Sequence, residues 1–161
     1  MDPRHFLTVA ETLLAAVRAG SGLSEPAGAA ECRCAIGRAY YATFLVAHQC
    51  LAWIGVRVLE NSRCHDGVQK SLNNSREAVL VMVAQTLSTL AEQRREADYE
   101  MHAAGAGDPE RTDHALRIAR QAITFLDMIR NGRRSPFDRT TVADTIIAWA
   151  TTAGQEHVQR P

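Results

Sequence analysis

At 161 residues the chain is the length of one ordinary domain, ~100 to 150 residues being the commonest size, and it reads as a single domain over 1–161. Eighteen basic residues balance eighteen acidic ones, which excludes the long-range field of a general nucleic-acid binder and makes any RNA contact local. A hydrophobic share of 46% with 22% charge excludes a disordered or low-complexity chain.

Met1-Asp2-Pro3-Arg4-His5 lacks the basic-then-apolar order of a secretory signal, so the expected location is the cytoplasm. Asp2-Pro3 instead reads as a helix start, a capping carboxylate followed by proline in the first turn. Phe6, Val9, Ala10, Leu13, Ala16 and Val17 then repeat at helical spacing up to Gly20. A loop is expected over 21–28. Ala29 to Ile54 carries a broad apolar face of Ile36, Tyr40, Phe44, Ala47, Leu51 and Ile54, which makes it the central helix. Its richest stretch, Ala39 to Val56, approaches membrane-spanning length, but His48 and Gln49 at its centre argue for a buried helix and no membrane.

One short helix fits near His65 to Leu72. Asn74 with Glu77 reads as a capping pair for a long helix whose stripe is Leu80, Val83, Leu87, Leu90, Arg94, Ala97 and Met101. Val79 to Val83 is strand-like by itself, yet the longer helical period contains it. Asp108-Pro109 starts another helix, with Ala115, Ile118, Ala119, Ala122, Phe125, Leu126 and Ile129 inward and Asn131-Gly132 as its stop. Ser135-Pro136-Phe137-Asp138 starts the last, with Val142, Ile146 and Trp149 inward. No segment alternates with period two for long enough to build a sheet. The predicted fold is all-α, an antiparallel bundle of four to five helices.

Cys32, Cys34, Cys50 and Cys64 have no zinc-ribbon spacing. Residues two apart on a helix point about 200° from each other, so Cys32 and Cys34 cannot share an ion. No metal and no cofactor is expected, and the thiols read as reduced core groups.

The densest chemistry lies in Arg94-Arg95-Glu96-Ala97-Asp98-Tyr99-Glu100-Met101-His102. Steps of three and four residues put Arg95, Asp98, Tyr99 and His102 along one face. Arg94 lies about 100° away on the apolar seam, where a bare guanidinium is costly, so Asp98 one turn on, or a partner chain, is expected to neutralise it. Read by itself such a stripe is more often a solvated face than a site. His65 reads as a packing or capping histidine, and Tyr40 and Tyr41 as core aromatics. Arg130, Arg133, Arg134 and Arg139 around a turn form a candidate RNA-contact patch.

The segment Ala35 to Ala47, with Arg38-Ala39-Tyr40-Tyr41-Ala42-Thr43-Phe44, resembles the "RAYYA-x-F" helix of HEPN-superfamily proteins, in particular their small stand-alone members. His65-Asp66-Gly67-Val68 resembles their "H-x-G-V", Arg94-x-x-Ala97-Asp98-Tyr99 their "R-x-x-ADY", and Ala119 to Ile129 their closing "A-x-x-F" helix. The likeness spans about 30–130. It implies a metal-independent endoribonuclease, of the toxin or defence kind, carrying arginine and histidine with four to six residues between them. Arg95 and His102 meet that spacing, whereas Arg94, the arginine aligned before Ala-Asp-Tyr, stands one residue too far. In such chemistry imidazole exchanges protons near neutral pH and guanidinium stabilises the pentavalent phosphate. Arg95 and His102 are the implied catalytic pair, Arg94 assists, and Asp98 and Tyr99 support.

Seven residues of helix separate Arg95 from His102 by ~10 Å along the axis, so the pair meets on one phosphate only if the helix breaks or a second protomer contributes. A two-fold homodimer is the expected assembly. The resemblance also suggests a nucleotidyltransferase-type antitoxin as a partner protein, although Ala104 stands where toxins of that kind carry the tyrosine on which they are modified. The other reading is a non-catalytic module that binds a partner protein or nucleotide.

Overall fold

The computed structural model describes residues 2–20, 25–100, 105, 107–132 and 137–161. The fold is all-α, with 77% of these residues helical. The helices are α1 (Arg4–Arg18), α2 (Glu25–Ile54), α3 (Cys64–Asn73), α4 (Ala78–Tyr99), α5 (Pro109–Arg130) and α6 (Arg139–Thr152). Two short strands, β1 (Arg57–Val58) and β2 (Val158–Gln159), pair antiparallel. Among the described residues no helix is long and apolar enough to cross a membrane.

Most starts and stops follow the local chemistry. The Asp2 carboxylate accepts from the Arg4 backbone N–H at 3.0 Å, and that bond holds its carboxyl below the usual range. Asp108 Oδ1 accepts from the Glu110 N–H at 2.9 Å ahead of α5, and Gly132, at φ +64°, follows it in the left-handed conformation. Three expectations need correction. α2 begins at Glu25 rather than Ala29, because Pro26 falls in the first turn, where its missing N–H is not needed. Ser75 rather than Asn74 serves the start of α4: its buried Oγ accepts from the Glu77 N–H at 3.2 Å, while the Asn74 side chain turns back to the Lys70 carbonyl at 2.8 Å. Among the described residues the helix count is six, one or two above the prediction, because the short segment after the β1 loop forms a full helix of 10 residues.

Asp138 caps α6, its carboxylate accepting from the N–H of Thr140 at 3.0 Å and of Thr141 at 3.4 Å and from the Thr141 hydroxyl at 2.6 Å. The Thr141 hydroxyl bond, then the backbone N–H bonds, lower its carboxyl pKa. A carboxyl depressed in the folded chain contributes stability that is present above its unfolded pKa and disappears as pH falls through the folded one. Helicity of α6 is therefore expected to fall as the solution is acidified below the carboxylate range, and Asp138→Asn, which still accepts a bond, to remove most of that dependence. Amide-exchange protection factors across 139–143, corrected for the intrinsic pH dependence of exchange, read it, and protection that does not change with pH in the native chain would refute it.

The chain divides into two compact units, residues 1–43 with 88–121 and residues 44–87 with 122–161, and α2, α4 and α5 each run through both. In the first, helix neighbours run antiparallel. Phe6 of α1 lies beside Tyr41 of α2, and Val17 beside Gly28; Glu11 and Arg18 of α1 pair with Arg120 and Asp113 of α5. Its core contains Ala10, Leu14, Ile36, Ala39, Leu90, Ala97, Ala115 and Ala119, all buried. In the second, α3 packs on α6 and β1, and α6 on β2, around buried Leu51, Val68, Leu72, Leu80, Val83, Leu126 and Ile146. The stripe forecast for α4 is thus inward at Leu80, Val83, Leu87, Leu90 and Ala97. Val142 and Ile146 are buried as forecast, but Trp149 is only half-buried. Cys32, Cys50 and Cys64 are core thiols, and burial pushes Cys50 up to about 12. Cys34, expected inside with them, is exposed, because its position on α2 points away from the seam that holds Cys32.

Candidate functional site

The end of α4 is held in the first unit by side chains from two other helices. Continuing the inward seam past Leu90 brings the next heptad position to Arg94, whose side chain is three-quarters buried. Its Nε donates to Asp98 Oδ2 at 2.9 Å, the neutralisation expected from the sequence. The same guanidinium lies over the rings of Tyr41 and Tyr40 on α2, at 4.8 and 5.4 Å from their centroids. Each such contact is worth ~0.5–1 kcal/mol, more than the ~0.3–0.5 kcal/mol of a helical i,i+4 ion pair. The rings therefore contribute at least as much to fixing Arg94 as its carboxylate does.

Asp98 lies beside Gly37 of α2, where a Cβ would make an ordinary contact, 3.9 Å from Asp98 Oδ1. One turn away on α2, Arg33 Nη1 donates to the carbonyls of Ala97 at 2.8 Å, Glu100 at 3.3 Å and Glu96 at 3.4 Å. These carbonyls lie at the end of α4, the negative end of its dipole, where the i to i+4 ladder runs out; that of Glu96 also accepts from the Glu100 backbone N–H at 3.0 Å. From α5, Arg111 pairs with Glu96. Ahead of α5, Gly107 touches Ala29 of α2, where an added Cβ would sit 2.6 Å from the Ala29 Cβ. The turn Tyr40-Tyr41 and the turn Arg94 to Asp98 are in this way one packed assembly.

Beyond this brace the stripe faces solvent. Arg95 is 65% exposed and meets Glu100 Oε1 at 3.4 Å, a loose surface pair. Tyr99 is 74% exposed. Arg94 and Asp98 are together, with Arg95 and Tyr99 outward beside them; α4 ends at Tyr99, two residues before the expected Met101. His102, together with Ala104, lies outside the described residues, and so do Arg133 and Arg134 of the second arginine cluster. Of that cluster, Arg130 is half-buried at the end of α5, and Arg139 covers the Trp53 ring at 4.5 Å, a packing contact.

His65 stacks on Phe44 with ring centroids 4.0 Å apart, the packing role expected of it. His48 also lies against Phe44, at 6.2 Å, and its Nε2 is 3.1 Å from the Val58 carbonyl oxygen. Among the described residues no group of three His, Cys, Asp or Glu side chains could hold a metal ion. Two features of the site had escaped the sequence: Arg33 as a cap for another helix, and the Glu96–Arg111 pair. Neither has a local signal, since each joins residues on different helices. No protein-family model, no curated protein and no solved structure matches this chain.

Proposed function

We propose that the chain is a HEPN-like antiparallel helical bundle and a metal-independent endoribonuclease, working in the cytoplasm as a homodimer. The observation that supports this is the packing of Arg94 and Asp98 onto Tyr40 and Tyr41, which joins two of the segments that resemble the family. With Arg94 braced in this way, Arg95 is the guanidinium left facing solvent at the end of α4, beside the segment that carries His102. In the proposed reaction the 2′-oxygen of a ribose attacks the adjacent phosphorus, and the 5′-oxygen of the next nucleotide leaves with a proton. The products are a 2′,3′-cyclic phosphate and a 5′-hydroxyl. His102 exchanges the proton, and Arg95 balances the charge on the pentavalent phosphate. A second protomer brings a second copy of the pair to the same two-fold axis, and single-stranded RNA supplies the flexibility that in-line attack needs.

The test is cleavage of single-stranded RNA by the purified chain in EDTA. Native protein is expected to give cyclic-phosphate ends, with His102→Ala and Arg95→Ala reduced by a hundredfold or more, as is usual for loss of a general acid–base group or an oxyanion donor (~10² or more). Equal cutting by native protein and His102→Ala would assign it to a contaminant. Intact RNA in every sample would leave the second reading, a non-catalytic module for a partner protein, of the nucleotidyltransferase-antitoxin kind, or a nucleotide. The exposed Tyr99 ring beside Arg95 favours that reading as far as any single feature does, since exposed aromatics and arginines are the common anchors of interfaces. It requires binding that Tyr99→Ala weakens.

A further inference from the structure

A second candidate site lies in the other compact unit. A cleft of about 660 Å³ opens between the α3–α4 turn and α6, lined by Asn73, Asn74, Arg76, Asp144, Trp149 and Thr152 among others. That volume is within the ~300–1,000 Å³ of ordinary small-molecule sites.

Two features of the lining are unusual for an idle surface. Trp53 is stacked on Phe137 and covered by Arg139. Trp149, by contrast, is half-buried on the cleft wall and has no ring or cation partner among the described residues. Its face is available to another flat group. Arg76 is the one non-glycine among the described residues with a left-handed backbone, at φ +60°. Glycine or asparagine would hold that conformation at lower cost, and strain of this kind persists at sites where the side chain has a use. The Arg76 guanidinium is exposed and makes no ion pair among the described residues. Asp144, the one carboxylate in the lining, is paired with Arg160 and so leaves the positive charge of Arg76 largely uncancelled. Asn74 is anchored at the rim through its bond to the Lys70 carbonyl.

We propose that this cleft binds a small planar aromatic anion, its ring on Trp149 and its anionic group on Arg76. The ring requirement distinguishes it from a bare phosphate site, and the guanidinium distinguishes it from an apolar pocket. A nucleotide and an aryl carboxylate share this chemistry. The proposal does not depend on RNA cleavage.

Calorimetric titration of the full chain with adenosine monophosphate and with 4-hydroxybenzoate separates the two sources. Saturable binding of either one supports the proposal and names the class. Adenosine or phenol, which lack the anion, is expected to bind about tenfold more weakly, the usual effect of losing a charge-assisted hydrogen bond. Arg76→Gly should erase that difference without lowering the melting temperature, because glycine relieves the backbone. Trp149→Phe should retain binding and Trp149→Ala lose it. Saturation by neither anion, inorganic phosphate competing as well as adenosine monophosphate, or an unchanged preference for the anion in Arg76→Gly would each overturn it.

Discussion

Replacing Arg33 with alanine is expected to destabilise the chain by about 2 kcal/mol and to loosen the end of α4 before anything else. Arg33 lies on α2, 63 to 67 positions before the carbonyls it serves, so its loss leaves the C-terminal carbonyls of α4 without their cross-helix donor. A hydrogen bond from a charged donor contributes ~1.5–3 kcal/mol net, and a cation at the negative end of a helix adds to that. For a chain of this length the change corresponds to a fall in melting temperature of roughly 6 °C. Arg33→Lys keeps the charge but loses the planar fork, and should recover about half. Urea denaturation gives the size, and amide exchange at 97–100 the place. A change within about 0.5 kcal/mol, the usual range for an unimportant surface position, would mean that the carbonyls find water instead. If RNA cleavage is established, Arg33→Ala should lower its rate while Arg33→Lys restores part of it, because Arg33 positions the turn that carries Arg95 and does not touch substrate.

What could be read from the chain beforehand follows the range of the interactions involved. Helix starts at Asp2 and Asp108 were legible because a cap and the N–H groups it serves lie within three residues of each other; the last helix was expected to start in the segment Ser135 to Asp138, and its cap is the last residue of that segment. The Arg94–Asp98 pair was legible for the same reason, being one turn apart on one helix. The placement of that pair under Tyr40 and Tyr41 was not, since it depends on the antiparallel register of α2 against α4, which no local pattern encodes. The β1–β2 ribbon has two residues on each strand, too few to show an alternation. Asn74 and Ser75 compete for one turn, and the choice went to the hydroxyl, whose shorter side chain reaches the Glu77 N–H while the longer carboxamide closes the end of α3. For the candidate site, the sequence identifies the segment and the order of its residues; the braces that make it rigid come from other helices and were not visible.

Gly67→Ala is expected to destabilise the chain by about 1–2 kcal/mol, although alanine is the better helix former by ~1 kcal/mol. Gly67 is in the first turn of α3, and a Cβ there would lie 2.7 Å from His157 Cδ2, 2.8 Å from His157 Nε2 and 2.9 Å from Val58 Cγ1. Both neighbours are almost fully buried, His157 at 6% and Val58 at 3% exposure, so neither ring nor branched methyl can swing into solvent without opening the contact. Overpacking of this kind costs ~1–3 kcal/mol, which exceeds the gain in propensity and decides the sign. The strain falls on the β1–β2 ribbon, because Val58 is in β1, His157 immediately precedes β2, and the Leu59 N–H donates to the His157 carbonyl at 2.9 Å. His157→Ala should cost stability by itself but remove most of the Gly67→Ala penalty, giving a coupling of about 1 kcal/mol in a double-mutant cycle. Additive effects, or a Gly67→Ala variant more stable than the native chain, would mean that His157 and Val58 yield freely. The glycine of the His65-Asp66-Gly67-Val68 segment then has a packing reason: it admits an imidazole from the far end of the chain, and this segment needs no part in chemistry to explain its sequence.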